Sequence, residues 1–298
     1  MKIVDLFCGV GGLSLGFQSA GFDIKASYDS WEKAVAIYRD NFSHPVYKFD
    51  LSDSDKASES IGLLNPNIII GGPPCQDFSH AGKRSEGTRA NLTSSFATIV
   101  STVRPEWFVM ENVDRAQNSS AYKEARDILK LAGYGLSENV LNASLCGVPQ
   151  KRKRFFCIGK LGEIDGFMDD FLMSGLSEKA MTMRDYFGSE LGLDHYYRHP
   201  RNYSRRGIFS MDEPAPTIRG VNRPVPPNYV KHDGDTSSLD GIRPLTTLER
   251  ARVQTFPSDF SWSGTKTDLE QMIGNAVPVE LGKYVANAIK KYIDKNGK

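Results

Sequence analysis

The first 160 residues alternate between strand-like and helix-like sequence, and that rhythm confines the chain to a small set of folds. Strand-like runs fall at 2–7, 24–28, 46–49, 68–70, 107–110 and 155–158. Helical periodicity falls between them at 13–20, 32–41, 92–103 and 121–131. The alternation predicts an α/β fold: a doubly wound, mostly parallel sheet with helices on both faces. After about residue 170 the rhythm stops. Residues 195–235 are rich in Pro, Arg, Asn and Tyr, and helical signals resume only at 248–254 and 280–291. The expected division is a main domain of 1–168 with 264–298, and a smaller irregular domain of 169–263.

The run GGPPCQ at 71–76 follows an apolar strand announced by the turn Asn65-Pro66-Asn67. Two glycines permit a close backbone approach and two prolines fix φ. Cys75 is thereby held on a stiff turn, as a nucleophile would be. A small packed thiol is the alternative, and the run alone leaves both open. The other cysteines, Cys8, Cys146 and Cys157, read as packing residues. With no CxxC pair, neither a metal site nor a disulfide framework is expected, and a reduced cytoplasmic setting fits. No apolar run approaches the roughly 20 residues of a membrane span, and strand-like sequence from Lys2 argues against a signal peptide.

The loop Asp5-Leu6-Phe7-Cys8-Gly9-Val10-Gly11-Gly12 joins the first strand to the first helix, where such sheets bind ligands. Its glycines fail the dinucleotide pattern because Ser14 stands where the third glycine belongs, which argues against a nicotinamide oxidoreductase. Asp29 follows the second strand and suits the two hydroxyls of a ribose. Asp50 follows the third and suits an adenine amino group. A glycine loop with two such acids and no phosphate cradle fits an adenosine without a phosphate chain, such as S-adenosylmethionine.

The net charge of +1 conceals an uneven distribution. Residues 195–231 carry seven Lys/Arg (Arg198, Arg201, Arg205, Arg206, Arg219, Arg223, Lys231) against Asp212 and Glu213. Five more bases fall within 151–160 without an acid. Such stretches in a neutral protein suggest a surface that faces a polyanion.

With these residues in place the chain resembles the DNA (cytosine-5)-methyltransferase family. The resemblance rests on DLFCGVGGLSLGF at 5–17, GGPPCQDFSHAGKR at 71–84, ENV at 111–113, QKRKR at 150–154, RPLTTLERARVQTFP at 243–257 and IGNAVP at 273–278, in the family's order. It implies a class I S-adenosylmethionine-dependent methyltransferase fold, Rossmann-like, with a target-recognition domain at the least family-like part, 165–242. Cys75 would be the nucleophile that adds to carbon 6 of cytosine, and Glu111 would bond ring nitrogen 3 and the exocyclic amine. Arg154 would reach oxygen 2, while Arg152 would support the catalytic loop or a phosphate and Gln150 would orient the loop.

The resemblance also assigns cofactor and DNA contacts. Phe7, Gly9, Gly11, Gly12 and Leu13 would cradle the methionine end, with Asp29 and Ser30 at the ribose. Asp50 and Leu51 would lie at the adenine, Pro74 near the cofactor, and Asn275 and Val277 would complete the pocket. Gln76, Ser79, Lys83, Arg84 and Arg89 would meet DNA from a mobile loop, although Thr88 replaces the acid that often precedes the position of Arg89. Arg205 and Arg206 would bind DNA, Thr217 would lie near a flipped base, and Arg219 and Arg223 would read bases or bind phosphate. The implied partner is double-stranded DNA, methylated by a monomer, with a companion restriction endonuclease on the same site. An RNA-acting enzyme is disfavoured because the Cys-Phe-Thr element of that branch is absent. An inactive DNA-binding relative is disfavoured by the presence of Cys75, Glu111 and Arg154.

Overall fold

A computed structural model describes residues 1–74, 92–200, 202 and 204–296. Its strands are β1 (Lys2–Leu6), β2 (Asp23–Asp29), β3 (Val46–Lys48), β4 (Ile68–Gly71), β5 (Trp107–Val113), β6 (Tyr134–Asn142), β7 (Gln150–Lys151), β8 (Lys153–Leu161), β9 (His195–Tyr197), β10 (Ile208–Ser210) and β11 (Ala215–Pro216). Its helices are α1 (Gly12–Ser19), α2 (Glu32–Asn41), α3 (Ser54–Gly62), α4 (Leu92–Val103), α5 (Ser120–Leu131), α6 (Asp169–Met173), α7 (Met183–Phe187), α8 (Thr247–Val253), α9 (Lys266–Asn275) and α10 (Val279–Asn296).

The main sheet has seven strands in the order β3-β2-β1-β4-β5-β8-β6. From β3 to β5 all neighbours are parallel, and β8 alone runs antiparallel to both β5 and β6. The central strands are near-continuous apolar runs because helices cover both faces. Ile68, Ile69 and Ile70 of β4 are wholly buried. One face packs on α1 and α10 through Leu13, Phe17, Leu281, Val285 and Ile289. The other packs on α3, α4 and α5 through Ala57, Ile61, Phe96, Val100, Ala125 and Leu129. The strand order reverses between β1 and β4, so the ligand crevice of this topology opens beyond their carboxyl ends. Those ends carry the 5–12 loop and the GGPP turn. The expected doubly wound sheet is therefore present.

The second lobe is the irregular part of the chain. Helix α6 belongs to the main body: Leu172 lies in the core beside α10, and Tyr284 donates to the carbonyl of Leu172. Beyond it, β9 and β10 pair antiparallel, while β11 pairs in parallel with β7 of the QKRKR run. A third core joins the lobes, with Val10, Ala34 and Ile37 packed among Phe187, Phe209, Ile218, Val253 and Phe256.

Beneath the first loop lies a buried polar chain. Ser14 donates to Asp5 Oδ2 at 2.6 Å, Tyr38 donates to Ser14 at 2.7 Å, and the Tyr38 hydroxyl also meets Ser27 and His44. Asp5 is 1% exposed, and burial pushes its carboxyl up to about 8. The unfolded chain releases this proton near pH 3.9, so folding takes up a proton between those two values. The contribution of Asp5 to stability therefore falls as pH rises from about 4 to about 8. Asp5→Asn should remove that dependence. In paired thermal melts the difference in Tm, variant minus wild type, should grow from pH 5.5 to pH 8.5, and a constant difference would contradict the assignment.

Candidate functional site

The loop after β1 uses positive φ at Phe7 (57°), Gly9 (53°) and Gly11 (89°) to turn back over the sheet. A Cβ at Gly12 would stand 2.1 Å from the Val277 carbonyl oxygen, so only glycine lets α1 meet the chain arriving from α9. At Gly9 a Cβ would meet nothing, which marks the open side of the loop. Asp29 ties the loop down: Oδ2 accepts from the Gly9 N–H and Oδ1 from the Trp31 N–H, each at 2.8 Å. Burial raises its pKa, and the two amides oppose that rise. Each oxygen keeps a second lone pair for a hydroxyl donor.

Helix α1 has no side-chain cap at Gly11. The amides of its first turn, with the positive end of the helix dipole, suit a carboxylate. This α-carboxylate site beside a ribose-competent Asp29 fits S-adenosylmethionine. Asp50, Ser30, Pro74 and Asn275 are exposed. The Leu13 and Leu51 side chains lie in the two main cores, at 3% and 2% exposure, so their backbones are what they offer a ligand. The missing Cβ of Gly11 makes room for Phe42 and Tyr38.

The second group of residues lies across the crevice. Glu111 is on β5 and Arg154 on β8, the antiparallel neighbour, and Arg154 Nε sits 2.9 Å from Glu111 Oε1. Both side chains are nearly enclosed, at 10% and 14% exposure. Burial raises the Glu111 pKa, against the pull of Arg154 and Arg152. A Cβ on Gly72 would be 3.1 Å from Glu111 Oε2, so the glycine turn passes directly over the carboxylate. Asn112 Nδ2 donates to the Pro73 carbonyl at 2.9 Å and fixes that turn to β5. Asn112 is the middle residue of ENV, and its place on β5 brings it against the turn. Cys75 itself, with Gln76, Ser79, Lys83, Arg84 and Arg89, lies outside the described residues.

Known proteins decide what this arrangement belongs to. The family described as C-5 cytosine-specific DNA methylase matches residues 1–291. The chain belongs to that family. It is a DNA cytosine-5-methyltransferase. Among its relatives are the Type II methyltransferase M.HindV of Haemophilus influenzae, 57% identical over 97% of this chain and 96% of the relative, and M.HgiDI of Herpetosiphon aurantiacus, 52% identical over 99% and 96%. The S. pombe Dnmt2 methyltransferase shares the fold, with a TM-score of 0.70 at 20% identity, covering 99% of this chain and 98% of that one. Methyltransferases of this family use S-adenosylmethionine. Among the described residues no group of His, Cys, Asp and Glu could hold a metal, and no helix is long and apolar enough to cross a membrane.

Strand alternation sorts the QKRKR run of this methylase. Gln150, Arg152 and Arg154 share one face and point inward, whereas Lys151 and Lys153 are exposed. Arg152, expected to support the catalytic loop or a phosphate, faces carbonyls inside the protein. It is wholly buried, with Nη1 donating to the Ile218 carbonyl at 3.0 Å and Nη2 to those of Gly274 and Ala276 at 2.9 and 3.1 Å. Gln150 is also wholly buried, between the Ile218 N–H and Gln254. Val277, expected at the cofactor, is 8% exposed and offers its carbonyl to the Gly12 approach.

The basic stretch of the second lobe is partly engaged in internal bonds. Arg206 is clasped by both oxygens of Glu213 and lies over the Phe209 ring at 4.2 Å, so it is an internal strut. Arg219 donates to the His199 carbonyl, Arg198 to that of Thr217, and the Thr217 hydroxyl to that of Lys151. Arg205, Arg223 and Lys231 are exposed. Arg206→Ala should therefore lower stability by about 1 kcal/mol. Arg205→Ala and Arg223→Ala should leave the melt unchanged and each reduce the slope of log affinity against log salt by about 1 on duplex DNA. Equal salt slopes for all three variants would contradict this division.

Proposed function

We propose that the protein transfers a methyl group to carbon 5 of a cytosine flipped out of a short, specific duplex sequence, through a covalent bond between Cys75 and carbon 6. The observation that carries this reading is the Glu111–Arg154 pair, enclosed beneath the GGPP turn that leads directly into Cys75. A cytosine presents at one edge the groups such a pair can hold: oxygen 2 for a guanidinium, and nitrogen 3 with the exocyclic amine for a carboxyl group. A duplex base reaches an enclosed pair only when extruded, at a cost of a few kcal/mol.

Carbon 5 is a poor nucleophile in the intact ring. The Cys75 thiolate adds to carbon 6, the ring electrons move toward nitrogen 3, and Glu111 shares its proton there. Its burial keeps that proton available. S-adenosylmethionine, when bound between α1 and Asp29, supplies an electrophilic methyl group. Loss of the carbon 5 proton to a base and expulsion of the thiolate then restore the aromatic ring. Asn112 holds the turn against β5 throughout. As a modification methylase the protein would act as a cytoplasmic, nucleoid-associated monomer. A companion restriction endonuclease would share its site without touching it, a reading supported by the Type II relatives.

Bisulfite sequencing of DNA from cells expressing the protein should reveal one short methylated sequence. A duplex carrying 5-fluorocytosine at that position should then trap the protein as a denaturation-resistant adduct in the presence of the cofactor. Absence of the adduct, or its persistence in Cys75→Ser, would overturn the mechanism. Glu111→Gln should lower the single-turnover rate by about 10²–10⁴, and a rate within tenfold of wild type would remove Glu111 from the chemistry.

A further inference from the structure

Helix α9 ends inside the protein, where its last carbonyls need donors. Gln254 Nε2 supplies Ile273 and Ala276, and Arg152 Nη2 supplies Gly274 and Ala276. The other arginine nitrogen, Nη1, crosses to the Ile218 carbonyl in the recognition lobe. One guanidinium thus bridges two elements with two different nitrogens. The segment around Ile218 is strapped to the same joint at nearly every residue. The Thr217 hydroxyl bonds the Lys151 carbonyl, the Ile218 N–H bonds Gln150, Arg250 bonds the Arg219 carbonyl, and Asn222 bonds Glu270. At Gly220 the backbone lies so close to α9 that a Cβ on Gly274 would stand 2.3 Å from its nitrogen.

The two ends of this joint face different ligands. Arg223 is exposed one residue beyond Asn222, and Asn275 with Val277 follows Gly274 toward the Gly12 contact. We infer that Arg152 is the positioning residue through which cofactor binding and DNA binding reinforce each other. The inference rests on the function proposed above. A ligand that fixes the 275–277 turn fixes the carbonyls on Nη2. The same rigid fork then holds the Ile218 carbonyl, and with it the register of the recognition segment. By linkage the effect is reciprocal.

The test measures duplex affinity by fluorescence anisotropy with and without S-adenosylhomocysteine, and S-adenosylhomocysteine affinity with and without duplex. The duplex carries the sequence mapped by bisulfite sequencing. Wild type should show the same coupling factor both ways, at least about fivefold. Arg152→Lys keeps a buried cation that can serve α9 but lacks the rigid planar fork that holds carbonyls of both elements at a fixed separation. It should bind each ligand alone within about twofold of wild type while the coupling factor falls toward about one. Wild-type coupling of one, or full coupling in Arg152→Lys, overturns the inference.

Hydrogen exchange on the wild-type protein tests the same point without a variant. S-adenosylhomocysteine alone should slow exchange in 217–222, and protection confined to 5–30 and 275–277 overturns the inference. A wild-type protein that binds no S-adenosylhomocysteine would instead overturn the function itself.

Discussion

A helix that stops in the interior leaves carbonyls that must be met, and the end of α9 is where this constraint falls hardest. Its partners come from far along the chain: Gln254 from just beyond α8 and Arg152 from between β7 and β8. A buried guanidinium whose hydrogen bonds go to carbonyls costs several kcal/mol in desolvation unless those bonds are well formed. Burial accordingly drives the Arg152 pKa well down from its usual value. That cost makes the arrangement intolerant of slack. Only one relative position of the sheet, the last helices and the second lobe keeps all of those bonds.

Much of this was legible in the chain. The alternation of the first 160 residues specified the parallel strands, and apolar runs such as 68–70 marked those buried on both faces. What escaped notice was polar. Helix α3 reads SDKASESIG, with little apolar signal, and depends on Asp53 capping the Lys56 amide. Strand β6 lies at the sheet edge, paired only with β8, so its sequence mixes polar and apolar residues. The antiparallel direction of β8 is a property of pairing, and a run of apolar residues carries no arrow.

The site divides the same way. Asp29 at the end of β2 and Glu111 opposite β8 could be singled out from their place in the topology. The partners of the charged residues could not be read, because charge in a sequence does not announce what faces it. Arg206 counts as a cation in any window, yet Glu213 is only seven residues away and closes on it. Arg152 and Arg154 look equivalent within QKRKR. Strand alternation puts them on one face, but one meets three carbonyls and the other a carboxylate. Glycine is similar: the missing Cβ of Gly12 makes room for the protein's own backbone at Val277, which no sequence window shows.

The pairing of Arg154 with Glu111 has a consequence for the order of events. An arginine beside a buried carboxylate favours the ionised form, while burial favours the protonated one, and the two effects are opposed within a single site. In the reaction proposed above, a flipped cytosine would change the balance: its oxygen 2 would compete for the guanidinium and its ring would exclude water, so Glu111 would lose part of its counter-charge as desolvation deepened. The carboxyl would then hold a proton more tightly at the moment nitrogen 3 could share it, and the base that needs the acid would help to create it.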